Sequence, residues 1–498
     1  MSFLLFGIVI IVLLYINDRV KNKKLYELSK KFPGPLSLPL VGNTKDFLSD
    51  SHGIFMTLLD FVTKYERFYR VWNGGKFYLI CYDYKDAEVI LGSTTHLKKS
   101  ESYKFIHPWI GENILTGSGQ LWRSHRKVIT PAFHFKILNQ FLEVFNRKTE
   151  IFCEKLAEKA GKGPFDIYKD VKLLALDNIY ETAMGFNMDV QRNSESEYVQ
   201  AVKNMCHVAN QRIFKVWLMI DFIFKLSGYA KIQEKALKVL HQATNDVIRR
   251  RGLGRPRNTI TETEDPDENT QKKRAFLDLL QHSPEVMTWS QNEIRREVDT
   301  FLFAGHDTVS SGLGFAFYCL AHNPEVQEKV YEEQVKIFGN SSRLPTADDI
   351  HEMKYLERVI KEVQRIYPSV PIIGRELETD LELPGKLVVP KGTQLSILIC
   401  SIHKDPRVWK NPNEFNPDNF LPEAIASRPH YTYIPFSAGP RNCLGQKYAM
   451  LEMKSTIGIL CRKFRFLPSL LEEHKLRLAS EIILVSKTGI HVRVEKRV

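Results

Sequence analysis

The residues best suited to metal chemistry lie in one loop late in the chain, Tyr433-Ile-Pro-Phe-Ser-Ala-Gly-Pro-Arg-Asn-Cys-Leu-Gly-Gln446. Its single cysteine, Cys443, is followed by apolar residues at steps of three or four, a spacing that predicts a helix beginning directly after the cysteine. A thiol at a helix N-terminus lies near the positive end of the helix dipole and near free backbone N–H groups. Both favour the thiolate, which is the form that binds a metal ion.

Two interpretations are open for Cys443. Free cysteines are among the most buried residues, so a structural cysteine is the ordinary case. The fixed spacing of Phe436, Gly439, Arg441, Cys443 and Gly445 instead resembles the haem-thiolate loop of the cytochrome P-450 superfamily. This resemblance implies that Cys443 ligates the iron of haem b and that the other four residues surround the cofactor.

A second group with chemical potential lies in a long helical pattern. Ser290 and Glu293 form a capping box, and the pattern runs from there to Pro324, about 32 residues or ~48 Å. Asp307 and Thr308 stand in its middle as an acid beside an alcohol. Thr308 can turn its hydroxyl to the carbonyl of residue 304 and open the helix near Gly305. The pair suits proton delivery; the alternative is a kinked core helix with a satisfied Asp307.

The stretch from Glu297 to Thr308 resembles the oxygen-activation helix of the superfamily, and in detail its family 4. Most members of that family carry a Glu at the position of Ala304, where it forms an ester with a haem methyl. Alanine has no such chemistry, so we expect the haem to be bound without a covalent link. Val309 also stands where a second Thr or Ser is usual.

Three more basic or aromatic residues belong to the predicted cofactor site. Trp122 and Arg126 share one helix face at i,i+4. By themselves they read as a surface cation–π pair, but the resemblance implies that they bind a haem propionate. Arg375 follows a Pro-rich extended run that delivers Ile372 and Ile373 to the pocket, and by resemblance it also binds a propionate.

An ion pair should support the cysteine loop from behind. Glu362 and Arg365 at i,i+3 are by themselves an ordinary surface pair. In the family they are buried and fix this loop, together with an arginine in a Pro-x-Arg-Phe run. Here Asn419 stands at the position of that arginine, so the triad must be closed differently.

The N-terminus predicts a membrane attachment. Residues 3–16 are apolar without interruption, and six basic residues follow by position 31. A cleaved signal peptide is the competing interpretation, but no basic region precedes the run and no small-x-small site closes it. We therefore expect an anchor over residues 1–18, a basic stop and Pro-rich connector over 19–45, and one catalytic domain over 46–498. The basic residues place that domain on the cytosolic face of the membrane, and the resemblance to family 4 implies that this membrane is the endoplasmic reticulum.

Composition narrows the class of partners. The 498 residues carry a net charge of +12 and seven dispersed cysteines, which favours a reducing compartment without disulfides or a zinc site. No nucleic-acid motif, phosphate loop or nicotinamide fingerprint is present. Electrons must then come from a separate protein, and the resemblance implies an NADPH–cytochrome P-450 reductase, with cytochrome b5 as a further donor. Arg123, Lys127, Arg441 and Lys447 are candidates for the basic docking face, each with a solvated charge as the alternative.

The expected fold is mainly α, a helical haem domain with small β-sheets. Hairpins are predicted at 68–72 with 76–81, and at 481–494 near the C-terminus. The apolar segment 210–226 is either a core helix or the roof of a lipophilic pocket dipped in the membrane.

The predicted activity is insertion of one oxygen atom of O2 into a C–H bond of a lipophilic substrate. Phe105, Trp109, Phe214, Trp217 and Phe301 favour a lipophilic pocket, and fatty acids, steroids, hydrocarbons and foreign compounds all remain possible substrates. Two other classes stay open: a haem-thiolate isomerase, which usually lacks an acid–alcohol pair such as Asp307 and Thr308, and a non-catalytic haem sensor.

Overall fold

The computed structural model describes residues 13, 15–20, 22–133, 135–192, 196–251, 277 and 283–497. The fold is mainly helical with small sheets, as predicted. The α-helices of the described residues are α1 Lys23–Ser29, α2 Ser51–Lys64, α3 Tyr84–Gly92, α4 His107–Ile110, α5 Gly119–Ile129, α6 Phe135–Lys159, α7 Ile167–Ile179, α8 Glu197–Phe214, α9 Asp221–Leu226, α10 Gly228–Arg251, α11 Gln291–His322, α12 Pro324–Phe338, α13 Ala347–Glu352, α14 Lys354–Ile366, α15 Ile399–Ile402, α16 Pro422–Ala426 and α17 Gln446–Lys463.

The longest of these helices, α11, crosses the core. Ser290 caps it: its hydroxyl accepts the Glu293 N–H at 3.2 Å and its own N–H donates to the Glu293 carboxylate at 2.8 Å. The helix ends at His322 because Pro324 starts the next helix. Its middle is buried on nearly all sides, against α7, α14 and α17 among others. The predicted capping box and the 32-residue length are both confirmed.

Within the described residues, four small sheets lie beside the helices. The largest has the order β1-β2-β7-β4, in which β2 and β7 run parallel. The predicted hairpin of 68–72 with 76–81 is confirmed as β1 and β2. The strands are β1 Phe68–Asn73, β2 Lys76–Cys81, β3 Phe165–Asp166, β4 Ile372–Glu376, β5 Leu381–Leu383, β6 Leu387–Val389, β7 Gln394–Leu398, β8 Phe464–Pro468, β9 Leu478–Glu481, β10 Ile483–Ser486 and β11 His491–Lys496.

The predicted hairpin over 481–494 is wrong in its pairing. A tight turn at Ile482, with φ 69°, joins β9 to β10. The last strand, β11, belongs to another sheet, where it pairs with β8 and β3. Alternating apolar residues predict a strand but not its partner, and here the partner is chosen by packing against α6 and α7.

The apolar segment 210–226 is not a continuous core helix. α8 ends at Phe214, a short 3-10 turn follows over Val216–Met219, and α9 begins at Asp221. Phe222 and Leu226 are 72% and 74% exposed. The segment therefore presents apolar side chains at the surface, next to the cavity described below.

The predicted anchor over residues 1–18 falls largely outside the described residues, which include only 13 and 15–18 of it. Within the described part of the chain, no helix is both long enough and apolar enough to cross a membrane.

Candidate active site

The cysteine loop is held by its own backbone. The Cys443 N–H donates to the Phe436 carbonyl at 2.9 Å, and the Asn442 N–H donates to the Gly439 carbonyl at 3.0 Å. Gly439 has φ 68°, and a Cβ added there would lie 1.9 Å from the Leu91 carbonyl oxygen, so no other residue fits. α17 starts at Gln446, three residues after the cysteine. The predicted helix after Cys443 is confirmed.

The surroundings of the Cys443 thiol have opposing effects on its pKa. Burial raises its pKa, while the N–H groups of Gly445 and Gln446 and the charge of Arg126 lower it in part. The helix end thus acts in the predicted direction, but burial outweighs it. The sulfur nevertheless has accessible surface, because Cys443 is one of the residues that line a cavity. A thiol placed in this way becomes a stable thiolate when a metal cation binds to it.

The cavity has a volume of about 410 Å³ and lies between the cysteine loop and α11. Most of its walls are apolar. Of the predicted site residues, seven line it: Trp122, Arg126, Thr308, Phe436, Arg441, Cys443 and Gly445. Ile372 and Ile373 line it as predicted, and so do Phe214 and Phe301. Phe105 and Trp109 are buried without lining it, and Trp217 is 38% exposed.

Four cations gather near the cysteine loop: Lys99, Arg126, Arg375 and Arg441, called here the cation cluster. Burial lowers the pKa of each, that of Arg441 to about 9. The charges of Arg375 and Arg441 lower the pKa of Lys99 further. Arg375 does not line the cavity itself, but its charge acts on two residues that do.

The cation cluster has no ionic partner in the described chain. No described carboxylate lies within ion-pair distance of any of the four residues; their hydrogen bonds go to main-chain carbonyls such as Leu115 and Gly117 and to the Asn442 side chain. Arg375 and Arg441 are buried, and Lys99 and Arg126 are half-buried; like charges held together in this way are stabilised when an anion joins them. A haem carries two carboxylates on one edge, so a haem with its iron at Cys443 fits both the cluster and the apolar walls.

Trp122 does not pair with Arg126. The guanidinium of Arg441 lies 4.5 Å from the centroid of the Trp122 ring, while Arg126 donates to the Asn442 carbonyl at 2.7 Å. Arg441 is only 8% exposed. Its proposed place in an exposed docking face is therefore wrong, because its charge is turned inward; Arg123, Lys127 and Lys447 are exposed on the outer side of α5 and α17.

Thr308 and Asp307 point to different sides of α11. Thr308 lines the cavity, and its hydroxyl donates to the Ala304 carbonyl at 2.7 Å, as predicted. The helix stays continuous there, so no break opens at Gly305. Gly305 instead allows a close approach of α7: an added Cβ would lie 2.4 Å from Ile179 Cδ1, so the Ile179 side chain would have to shift. Asp307 does not line the cavity but forms a buried ion pair with Lys172 of α7 at 3.1 Å.

The Glu362–Arg365 pair is fully buried, and Asn419 closes the triad. Arg365 donates twice to Glu362, at 2.7 and 2.8 Å, and also to the carbonyls of Pro412 and Glu414. Asn419 Nδ2 donates to Glu362 at 3.0 Å, which confirms that this triad is closed without the usual arginine.

A residue outside the predicted set supports Asn419. Arg428 donates to the Asn419 carbonyl, and its guanidinium lies 3.9 Å from the centroid of the Trp409 ring. The Arg365 guanidinium is 4.8 Å from the same ring. Arg428 thus contacts this region in two ways: it donates a hydrogen bond to a main-chain carbonyl and stacks on the Trp409 ring.

Sequence reasoning missed Lys99, Lys172 and Arg428. Lys99 follows Lys98 in a polar run that reads as solvated surface, and Lys172 lies in a helix with no motif around it. Only Asp307, a buried acid in need of a partner, signalled that a cation such as Lys172 had to exist.

The chain is similar to known proteins over nearly its whole length. The family profile described as Cytochrome P450 matches residues 32–493. Cytochrome P450 4c3 of Drosophila melanogaster is 39% identical over 506 aligned positions, covering 99% of this chain and 94% of that protein. Cytochrome P450 4V2 of Pongo abelii is 39% identical over 92% of this chain and 88% of its own. Cytochrome P450 4c21 of Blattella germanica is 41% identical over 90% of this chain and 89% of its own.

Proposed function

The chain belongs to the cytochrome P450 family and is a P450 monooxygenase of the family 4 type; on that premise we propose that it is membrane-bound, takes electrons from an NADPH reductase and hydroxylates a lipophilic substrate. One observation carries the proposal: the accessible thiol of Cys443 and the hydroxyl of Thr308 line the same apolar cavity. When bound, haem b supplies the activation of O2.

The cofactor would be held from two directions. Cys443 provides the iron ligand, and the cation cluster with Trp122 receives the two propionates. Phe436, Gly439 and Gly445 shape the loop so that the sulfur faces the cavity. Ala304 lines the cavity with a methyl group and offers no carboxylate for an ester, which supports a non-covalent haem.

Of the predicted pair, Thr308 is the residue that can exchange hydrogen bonds with a group in the cavity, because it lines the cavity and Asp307 does not. Its hydroxyl hydrogen is directed to the Ala304 carbonyl, so its oxygen is free to accept a hydrogen bond from a group in the cavity. Asp307 is held by Lys172 on the other side of the helix. Asp307 therefore acts as the proton source only after this ion pair opens and its side chain turns toward the cavity.

The membrane side of the proposal is supported by exposed apolar residues near the cavity. Leu38 and Val41 of the Pro-rich connector are exposed, and the connector bonds to the β1–β2 tip through Gly42 and Asn73. Val216 also lies close to this tip, because its Cγ2 is 2.9 Å from the position that a Cβ would take at Gly74. The connector and the segment 216–226 thus meet at one tip, and their exposed apolar side chains form a surface suited to the endoplasmic reticulum membrane.

The reductase would approach the haem site near Trp122 and Arg126. Arg123, Lys127 and Lys447 surround a surface depression close to Trp122 and Arg126. Three exposed cations beside a buried cofactor edge suit an acidic redox partner, either the reductase or cytochrome b5.

The decisive experiment is the spectrum of the reduced protein with carbon monoxide. We expect the red-shifted band of thiolate-ligated haem in the wild type and its loss in Cys443→Ser. Cys153→Ala, a change at a buried cysteine away from the cavity, should keep the band. A wild-type spectrum without this band would refute the thiolate site.

The mode of haem attachment has a separate test. Acidified organic solvent should extract all of the haem from the denatured protein, because no ester would join it to Ala304. Haem retained on the washed polypeptide would contradict the non-covalent binding without affecting the thiolate assignment.

A further inference from the structure

The cavity wall around Asn73, on the first hairpin of the chain, contains one buried polar atom that has no hydrogen-bond partner among the described residues. Asn73 ends β1 at the tip of the hairpin, lines the cavity and is 7% exposed. Its Nδ2 donates to the carbonyl of Ile213 in α8 at 2.5 Å. Its Oδ1 has no hydrogen-bond partner among the described residues.

The hydrogen bond to Ile213 fixes which way the amide points. Reversing the amide would place Oδ1 against the Ile213 carbonyl, so that two acceptors would face each other. The free atom is therefore an acceptor and not a donor. A buried acceptor without a donor costs free energy, and a ligand with a hydroxyl group would relieve that cost.

The residues that line the cavity around Asn73 are mostly apolar. Lys76 lies opposite Asn73 in the hairpin, but it pairs with Glu101 at 2.9 Å and does not line the cavity. Phe47, Val71, Ile213 and Phe214 line the cavity with it, and the rings of Phe47 and Phe214 are 5.3 Å apart. Asn210 also lines the cavity, but both ends of its amide are engaged: Nδ2 donates to the Ser480 carbonyl at 2.7 Å, and Oδ1 accepts from Gln211.

Among the described residues, no cation lines the cavity at this wall to hold a carboxylate. Among the described lining residues, the cations are Lys99, Arg126 and Arg441, all members of the cation cluster beside the cysteine loop. Arg212 of α8 is buried nearby, but it pairs with Asp221, stacks on Phe105 and Phe224, and does not line the cavity. A carboxylate would meet only the acceptor of Asn73.

We propose that Asn73 Oδ1 accepts a hydrogen bond from a hydroxyl of the substrate, so that the enzyme prefers neutral lipophilic alcohols to carboxylates of the same chain length. The apolar lining packs along the chain of the substrate, and Asn73 fixes its polar end. This inference rests on the monooxygenase function proposed above, because it concerns the substrate of the same cavity.

A matched ligand series tests the proposal on the oxidised holoprotein. Dodecanol, its methyl ether and dodecanoate share a chain but offer a donor, only an acceptor, or a negative charge. Binding is measured by the shift of the haem spectrum and, independently of the haem, by equilibrium dialysis. In the wild type we expect dodecanol to bind about tenfold more tightly than the ether, and dodecanoate to bind more weakly than both.

Two variants locate the effect. Asn73→Ala should bring the alcohol-to-ether ratio close to one. Thr300→Val is the matched control, since Thr300 also lines the cavity but its hydroxyl already donates to the Arg296 carbonyl at 2.6 Å; the ratio should stay near the wild-type value.

Equal or tighter binding of dodecanoate by the wild type would overturn the proposal, and so would an unchanged ratio in Asn73→Ala. If Asn73→Ala does not fold, the wild-type series alone decides. The carbon monoxide spectrum separates the two levels: without the thiolate band the proposed function fails, whereas an intact band with equal affinities refutes only the role of Asn73.

Discussion

The two walls of the cavity are built in opposite ways. Behind Cys443, buried ions are joined to main-chain groups. Glu362 accepts from Arg365, from Asn419 and from the Asn416 N–H, and Arg365 also donates to three main-chain carbonyls. Around Asn73, apolar side chains predominate and neighbouring residues reach the surface. The first wall fixes one atom, the sulfur, whereas the second allows a range of lipophilic molecules. Rigidity is thus placed where the iron must be held.

The largest effect on stability is expected when one of the buried charges behind Cys443 is removed. Arg365→Leu leaves Glu362 buried without its cation, and we expect the free energy of unfolding to fall by about 3–5 kcal/mol. Arg358→Ala is the control on the same helix, because its pair with Asp418 is more than half exposed on the aspartate side; it should cost less than about 1 kcal/mol. Urea unfolding measures both, and similar losses would contradict a special role of the buried pair.

A second test concerns Asp299, a buried acid on α11. Asp299 on α11 accepts from Thr244 and Arg295, and burial raises its pKa to about 7. The folded state therefore binds this proton more tightly than the unfolded state does. Its contribution to stability is complete below about pH 4 and is lost as pH rises through about 7.

Asp299→Asn should remove this dependence. Between about pH 4 and 7 the wild type should lose on the order of 3 kcal/mol relative to the variant. Urea unfolding at several pH values gives the difference, with Asp60→Asn, which removes an exposed carboxylate, as the control for charge. A difference that does not change with pH would show that Asp299 stays ionised.

A smaller effect, on the rate of haem loss, is expected for a substitution in the cation cluster. Lys99→Met removes one charge that faces the cavity, and we expect haem to leave the protein about tenfold faster, equivalent to ~1.4 kcal/mol. Lys98→Met is the matched control, since Lys98 pairs with Glu376 at 2.8 Å and does not line the cavity. Haem transfer to apomyoglobin measures the rate; equal rates in the two variants would exclude Lys99 from the haem site.

The smallest effect is expected at the proposed membrane surface, which the connector and the segment 216–226 form. Phe222→Ser with Leu226→Ser removes two apolar side chains from the proposed membrane surface, and binding to phosphatidylcholine vesicles should weaken about fivefold. Leu470→Ser, at an apolar residue that is 85% exposed in another part of the chain, should leave vesicle flotation unchanged. If all variants floated alike, this surface would not contact the membrane.

The sequence by itself determined the features that depend on spacing within one element. The loop around Cys443, the capping box of Ser290 and Glu293, the first hairpin and the Thr308 bond to Ala304 each involve residues close along the chain. Local backbone geometry suffices to relate them, and so their prediction was correct.

Tertiary structure alone decided which distant groups meet. It turned Asp307 toward Lys172, buried Arg441, brought Lys99 into the cation cluster and paired β11 with β8. It also left Asn73 Oδ1 without a hydrogen-bond partner among the residues that the structure describes. The physical reason is that a buried charge or polar atom is defined by what packs against it, and residues far apart in the sequence carry no local record of that contact.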